Sequence, residues 1–175
     1  SEEYFLRHRP IEIAWHTETI LEADEDDLPL IAIRNFDSRG GTSVFVYAPD
    51  SDYLFAIATA TLDRLRLDVQ DARIITSSAG YTLDTFTVLD AETRSVVNDA
   101  ERLHDMQSRL RSALRAHELA PVKATPAVSR RLRNFSVPAS VTFTADAVNA
   151  RTVMEVIAAD RPGFLSLVGR AMRNQ

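Results

Sequence analysis

The segment Asp160-Arg161-Pro162-Gly163-Phe164-Leu165 follows the apolar run Val156-Ile157-Ala158, a pattern in which a strand passes directly into a helix. Each residue type has a physical use at such a junction. Pro162 presets the first helical turn, Gly163 permits close backbone approach, and the unpaired N–H groups at a helix start can hold a carboxylate. Asp160 stands where it can pair with an amino group, though an Asp ahead of a helix also serves as a simple cap. The candidate binding set here is Asp160, Arg161, Pro162, Gly163 and Phe164. An internal repeat displaced by 110 residues sets Asp160 on Asp50, and Phe164, Leu165, Leu167, Val168 and Met172 on Leu54, Phe55, Ile57, Ala58 and Leu62. Asp50, Tyr53 and Leu54 are therefore the matching candidates in the first copy. That copy reads Asp50-Ser51-Asp52-Tyr53, which drops the proline and the glycine and adds a second carboxylate beside the place a ligand carboxylate would take.

Other chemistries find little support. The chain has no cysteine, so it has no disulfide, no thiolate nucleophile and no cysteine zinc site. Its four histidines fall at 8, 16, 104 and 117, and His104-Asp105 has no second His three or four residues away; it reads as a solvated helix face, and no metal site is expected. Gly40-Gly41 has no lysine at phosphate-loop spacing and reads as a turn between strands. There is no nucleophile-elbow serine and no Gly-Ser followed by Asp-x-Asp, so no catalytic residue is expected. The enzyme alternative is a ferredoxin-like hydrolase of the acylphosphatase kind, with Arg73 or Arg161 on an anion.

The elements that must position these residues follow from periodicity. Pro10 and the apolar residues from Ile11 to Leu21 predict a short helix, in which Trp15 and His16 serve either as ordinary anchors or as contacts to a preceding domain. The acidic run from Glu22 to Asp27 predicts a linker. Leu30 to Ile33 and Val44 to Tyr47 predict adjacent strands, and Leu54, Ile57, Ala58, Thr61, Leu62 and Leu65 predict a helix. Residues 69–75 and 81–88 predict a strand pair about a Ser77-Ser78-Ala79-Gly80 turn. Ser95 to Leu119 predicts the longest helix, capped by Ser95 with Val96 on its apolar stripe, and 129–135 carries a weak strand signal. The order after the leading strand predicts an α+β, ferredoxin-like βαββαβ domain: an antiparallel sheet with two helices on one face. A truncated second repeat follows, which reads as part of a longer protein.

With 175 residues, 45% hydrophobic and 26% charged, the chain has the make-up of a globular protein of one or two domains. A net charge of -5 argues against nucleic acid as the partner. No apolar run reaches membrane-spanning length and the start lacks a secretory signal, so a cytoplasmic protein is expected. Arg supplies 19 of the 20 basic residues, with Lys123 the sole lysine, which suits genomic base composition better than recognition.

The Asp-Arg-Pro-Gly loop after an apolar strand resembles the signature of ACT domains, small amino-acid-sensing modules. A wider set of motifs agrees: Tyr4-Phe5-Leu6-Arg7-His8, Ile13-Ala14-Trp15-His16-Thr17, Gly40-Gly41-Thr42 ahead of Phe45-Val46-Tyr47-Ala48-Pro49-Asp50, and Asp71-Ala72-Arg73-Ile74 ahead of Gly80-Tyr81-Thr82-Leu83-Asp84-Thr85-Phe86. In this order they resemble the C-terminal regulatory region of bacterial bifunctional protein-PII uridylyltransferase/uridylyl-removing enzymes. The resemblance implies a parent with a nucleotidyltransferase domain that uses Mg, an HD-type hydrolase domain, and two ACT domains sensing L-glutamine. It implies residues 1–27 as a linker helix leaving the HD domain, 28–136 as the first ACT domain and 137–175 as the start of a second. The fragment would then carry no catalytic residues and no cofactor. It would act through the parent on PII, glutamine favouring removal of uridylyl groups. A ligand-free assembly module is the competing reading, supported by the eroded loop at Ser51 to Tyr53, and a homodimer is expected because ACT domains pair through sheet edges or helices.

Overall fold

The computed structural model of the chain describes residues 2–36, 40–117, 138–148, 150–159 and 163–173. It divides into two compact units, Ser1–Val122 with Leu165–Gln175, and Lys123–Phe164. The first unit holds α1 (Glu2–Arg7), α2 (Pro10–Leu21), β1 (Leu30–Phe36), β2 (Gly41–Pro49), α3 (Leu54–Arg64), β3 (Leu67–Arg73), β4 (Tyr81–Asp90) and α4 (Ala100–Arg115). Its strands form one antiparallel sheet in the order β1-β2-β4-β3.

Alternation along β2 explains how the sheet is covered. Val44, Val46 and Ala48 join Ile31, Phe86 and Val88 in a core closed by Leu54, Ile57, Ala58 and Leu62 of α3 and by Met106, Leu110, Ala113 and Leu114 of α4. This is the predicted α+β sandwich with two helices on one face. The intervening Phe45 points the other way and packs with Trp15 and Phe36, so α2 covers the opposite face. The sequence alone marked α2 only as a linker helix with two possible roles for Trp15 and His16. The structure gives both to the sheet: the His16 ring stacks on Phe45 at 3.9 Å between centroids, and Trp15 meets Phe36 edge-on at 5.4 Å. Phe45 is fully buried. Phe45→Ala is expected to cost about 3–5 kcal/mol, and urea unfolding followed by the emission of Trp15, the sole tryptophan, measures it.

A polar network lies within this second layer. Burial pushes the His16 imidazole down to about 3 and the Tyr4 phenol up to about 12, so both are neutral, and Tyr4 Oη and His16 Nδ1 share a hydrogen bond at 2.6 Å. His8 spans from the Tyr4 carbonyl to Thr85 Oγ1 on β4. Arg73, the anion-binding candidate of the enzyme alternative, pairs with Asp71 at 2.5 Å and stands 3.7 Å from the buried Glu12.

The start of the last long helix is corrected. The last long helix starts at Ala100, and its cap is Asp99, whose side chain accepts from the Arg102 N–H; Ser95 instead sits in the preceding turn, bonded to Thr93. Asp90 closes that turn by accepting from the Thr93 and Glu92 amides, and the chain beyond is then pinned by the Val97 N–H on Thr42 Oγ1. Val97 rather than Val96 therefore reaches the core. The strand signal at 129–135 lies outside the described residues, and β1 occupies the place beside β2, pairing with it from Leu30↔Tyr47 to Phe36↔Gly41. Among the described residues the first copy runs ββαββα.

The repeat survives in the backbone. β5 (Ser140–Asp146) and β6 (Arg151–Ile157) pair from Ser140↔Ile157 to Asp146↔Arg151, the β1–β2 register displaced by 110 residues throughout. α5 (Phe164–Arg173) then corresponds to α3. From Leu165 on, α5 belongs to the first unit.

Candidate functional site

The β2–α3 junction is where the sequence placed its first-copy candidates, and the structure builds a pocket of about 360 Å³ there. Asp50, Tyr53 and Leu54 line it with Ser51, Phe55 and Ala56 from the same loop and helix. Thr82 and Asp84 line it from β4, Ile74 from the segment just after β3, and Gly169 and Met172 from α5. In the second copy Gly163 and Phe164 stand at the start of α5, whereas Asp160, Arg161 and Pro162 lie outside the described residues.

Tyr53 keeps the backbone of the motif it has lost. It holds φ 64 and ψ 8, the left-handed conformation, and the matching Gly163 has φ 75. A side chain at such a φ costs roughly 1–2 kcal/mol, so the loop shape persists under strain once glycine is replaced. Tyr53→Gly is accordingly expected to be more stable than Tyr53→Ala by about 1 kcal/mol; both remove the ring, and thermal unfolding of the pair isolates the backbone term. As the N-cap of α3, Tyr53 offers no side-chain hydrogen bond to the first turn. The Leu54 N–H reaches the Ser51 carbonyl at 3.4 Å, and the Ile57 N–H bonds the Tyr53 carbonyl at 2.8 Å, so α3 begins at the pocket and its positive dipole end favours an anion there.

Asp84 supplies the opposite chemistry, and the motif search did not select it. It pairs with Val46 across the β2–β4 ladder, so its side chain points to the helix-covered face. Its residue is 1% exposed, and Oδ1 accepts from the Ile75 N–H at 3.2 Å and from the Thr82 hydroxyl. Desolvation pushes its carboxyl up to about 6; the bonds from Thr82 and Ile75 pull it partly back, and Asp50 adds to the rise. Among the described residues, both hydrogen bonds to Asp84 fall on Oδ1. Asp50 accepts at long range, 3.4 Å, from Thr76 Oγ1. The sequence signal for Asp84 was present: Phe86 and Val88 mark the inward face of β4 at a period of two, and a charged residue falls on that same face.

The pocket therefore sets two carboxylates, Asp50 and Asp84, beside the positive end of the α3 dipole, an arrangement that suits a small zwitterion. Elsewhere, His104 is exposed and Asp105 pairs with Arg109 at 2.7 Å. Among the described residues no group of three or more His, Asp or Glu is arranged to hold a metal ion, and no helix is long and apolar enough to cross a membrane. Gly40 has φ +64 in the turn between β1 and β2.

The four-stranded antiparallel sheet with two helices on one face makes an α+β module compatible with the ferredoxin-like fold of ACT domains. The particular relatives are more specific: over 173 residues, 97% of the chain, it is 42% identical to the bifunctional uridylyltransferase/uridylyl-removing enzyme of Pseudomonas syringae pv. syringae (strain B728a). Enzymes of the same name from Stutzerimonas stutzeri (strain A1501) and Pseudomonas aeruginosa (strain LESB58) are 41% and 42% identical over the same share of the chain. The chain spans 19% of the length of these relatives, and the similarity lies in their C-terminal region. A family model, uridylyltransferase GlnD fifth domain, matches residues 1–19. No solved structure matches the chain. The resemblance read from separate motifs thus extends over nearly the whole sequence, including most of the stretch from 91 to 127 that no motif had covered.

Proposed function

We propose that this chain is a regulatory, L-glutamine-sensing module of a PII uridylyltransferase/uridylyl-removing enzyme. In the whole enzyme it would govern reversible uridylylation of PII in nitrogen regulation, in the cytoplasm. The supporting observation is the β2–α3 pocket, where Asp50 and Asp84 can take an ammonium group while the N-terminal end of α3, positive by its dipole, takes a carboxylate. The side-chain amide of glutamine would be chosen by the remaining lining residues. In this reading residues 1–27 lead out of an HD-type domain, 28–136 form the first ACT domain and 137–175 begin the second. The chain itself is non-catalytic, and Mg chemistry belongs to the parent's nucleotidyltransferase part.

Calorimetric titration tests this. L-glutamine is expected to bind saturably, L-glutamate at least tenfold more weakly, and Asp50→Ala to weaken glutamine about tenfold, the loss of one charge-assisted contact. Equal binding of both amino acids, or none by the folded chain, would sink the glutamine reading. A second reading, a ligand-free assembly module, draws on the loop itself: Ser51-Asp52-Tyr53 replaces the proline and glycine, and Tyr53 holds a strained φ. It expects no heat with any amino acid and a homodimer by light scattering at micromolar concentration.

A further inference from the structure

Helices α1 and α2 carry apolar residues on two sides. Their inner side is the second cover of the sheet: Tyr4, Trp15 and His16 are buried there, and Glu12, also buried, stands beside Arg73 of β3. Buried polar groups that must find their partners hold the helices to one seating. The chain between α2 and β1 is fastened as well, since the Arg115 guanidinium of α4 donates to the Asp26 carbonyl at 3.0 Å and to the Leu28 carbonyl at 3.2 Å. The helix pair thus belongs to the same compact unit as the four-stranded sheet.

The outer side is apolar too. On a helix of 3.6 residues per turn Pro10, Ala14 and Leu21 fall within about 40° of one another, opposite Glu12, Trp15 and His16, with Ile11 at their margin. All four are exposed, Leu21 to 79% and Ile11 to 55%, and α1 adds Phe5 at 63% and Leu6 at 81%. A helix that is apolar on both sides is made to be covered on both. We propose that this outer face seats the domain that precedes the module in the longer enzyme, so that α2 is shared between that domain and the sheet. The occupant follows from the family model: it describes a whole domain, yet it matches only residues 1–19, which are α1 and most of α2. Below about 40 residues a chain seldom holds a core of its own, so these helices are one edge of a domain whose other residues lie elsewhere. The relatives supply them, since this chain spans 19% of their length and matches their C-terminal region. With the inner side occupied by the sheet, the outer side is the one left to meet the rest of that domain. Its exposed charges, Glu2, Glu3, Glu18 and Glu22 against Arg7 and Arg9, make the rim acidic, so the partner surface is apolar with a basic rim. A second copy of the same face would bring two acidic rims together, which disfavours self-pairing.

Because the chain has no cysteine, a single introduced thiol reports on its own position. Leu6→Cys and Ile11→Cys are made in this chain and in the longer enzyme, with Glu92→Cys, exposed in the turn after β4, as the reference, and maleimide labelling is followed peptide by peptide by mass spectrometry. In this chain alone both are expected to label as fast as the reference at every protein concentration. In the longer enzyme each is expected to slow at least tenfold relative to the reference. Equal relative rates in the two proteins overturn the docking. Slow labelling in this chain alone overturns it equally, and recovery on dilution would then identify a second copy as the cover. Leu6→Glu with Ile11→Glu separates docking from a role inside the module. The urea midpoint of this chain is expected not to move, while trypsin is expected to release the module from the longer enzyme at least fivefold faster; a lower midpoint, or release at the native rate, overturns the docking. The proposal takes its partner from the reading of this chain as the C-terminal part of a uridylyltransferase/uridylyl-removing enzyme. A longer protein that transfers no uridylyl group to PII defeats that reading alone, and the labelling rates still decide the docking.

Discussion

In Asp84→Asn, the gain in stability over the native chain is expected to grow from near zero below pH 4 to about 3 kcal/mol above pH 6, the equivalent of a carboxyl raised from 3.8 to about 6. The sign follows from the protons. Between those two values the folded chain retains a proton on Asp84 that the unfolded chain has released, so this group's contribution falls as pH rises and at neutral pH the buried carboxylate is a burden. His16 acts in the opposite sense over nearly the same window: its folded value of about 3 lies below the ordinary 6.5, so the unfolded chain binds the extra proton and stability rises with pH. The two slopes oppose each other in the native chain, whose own pH profile conceals both. Substitution separates them. Urea unfolding of the native chain and Asp84→Asn from pH 4 to 7.5, followed by Trp15 emission, gives the difference directly. A difference that does not vary with pH would show that Asp84 has the same proton affinity folded and unfolded.

The same substitution is expected to abolish ligand recognition. If the ligand's ammonium group is met by ionised Asp84, removal of that buried charge costs about 2 kcal/mol or more, at least thirtyfold in affinity. Affinity in the native chain is expected to be level above pH 7 and to weaken below pH 6, towards tenfold per unit, because the proton on Asp84 must leave before the ammonium can bind. Asp84→Asn would then be both more stable and unable to bind, the trade expected where a binding group is held in an unfavourable setting. Titrations of L-glutamine at pH 5, 6 and 7.5 test this; an affinity unchanged across that range would remove Asp84 from the site.

Much of the frame was legible because its signals are local. Period-three and period-four spacing marked α3, alternation marked β4, and the 110-residue repeat predicted a second hairpin whose register proves the same pair by pair. The rest depends on contacts that a linear pattern carries weakly. The unbroken apolar run Val44-Phe45-Val46-Tyr47 signals a strand buried on both faces, and only the folded chain shows that α2 supplies the second cover. Ser95 and Asp99 are both good caps in sequence, and Asp99 prevails because Asp90 and Thr42 hold the intervening turn. At the site, the loop carried Asp50, Tyr53 and Leu54 in its sequence. Asp84 reaches the pocket across the sheet and Gly169 through helix packing, each from a distant part of the chain.

The most direct measurement of the central claim, that the β2–α3 pocket takes an amino acid, is an amide NMR titration of the chain with L-glutamine at pH 7.5. Saturable shifts are predicted at Ser51 to Ala56, where the loop and the first turn of α3 would meet the ligand, and at Asp84 on β4 and Ile75, whose N–H bonds it. Shifts confined to other parts of the chain, or a spectrum unchanged at millimolar glutamine, would contradict it.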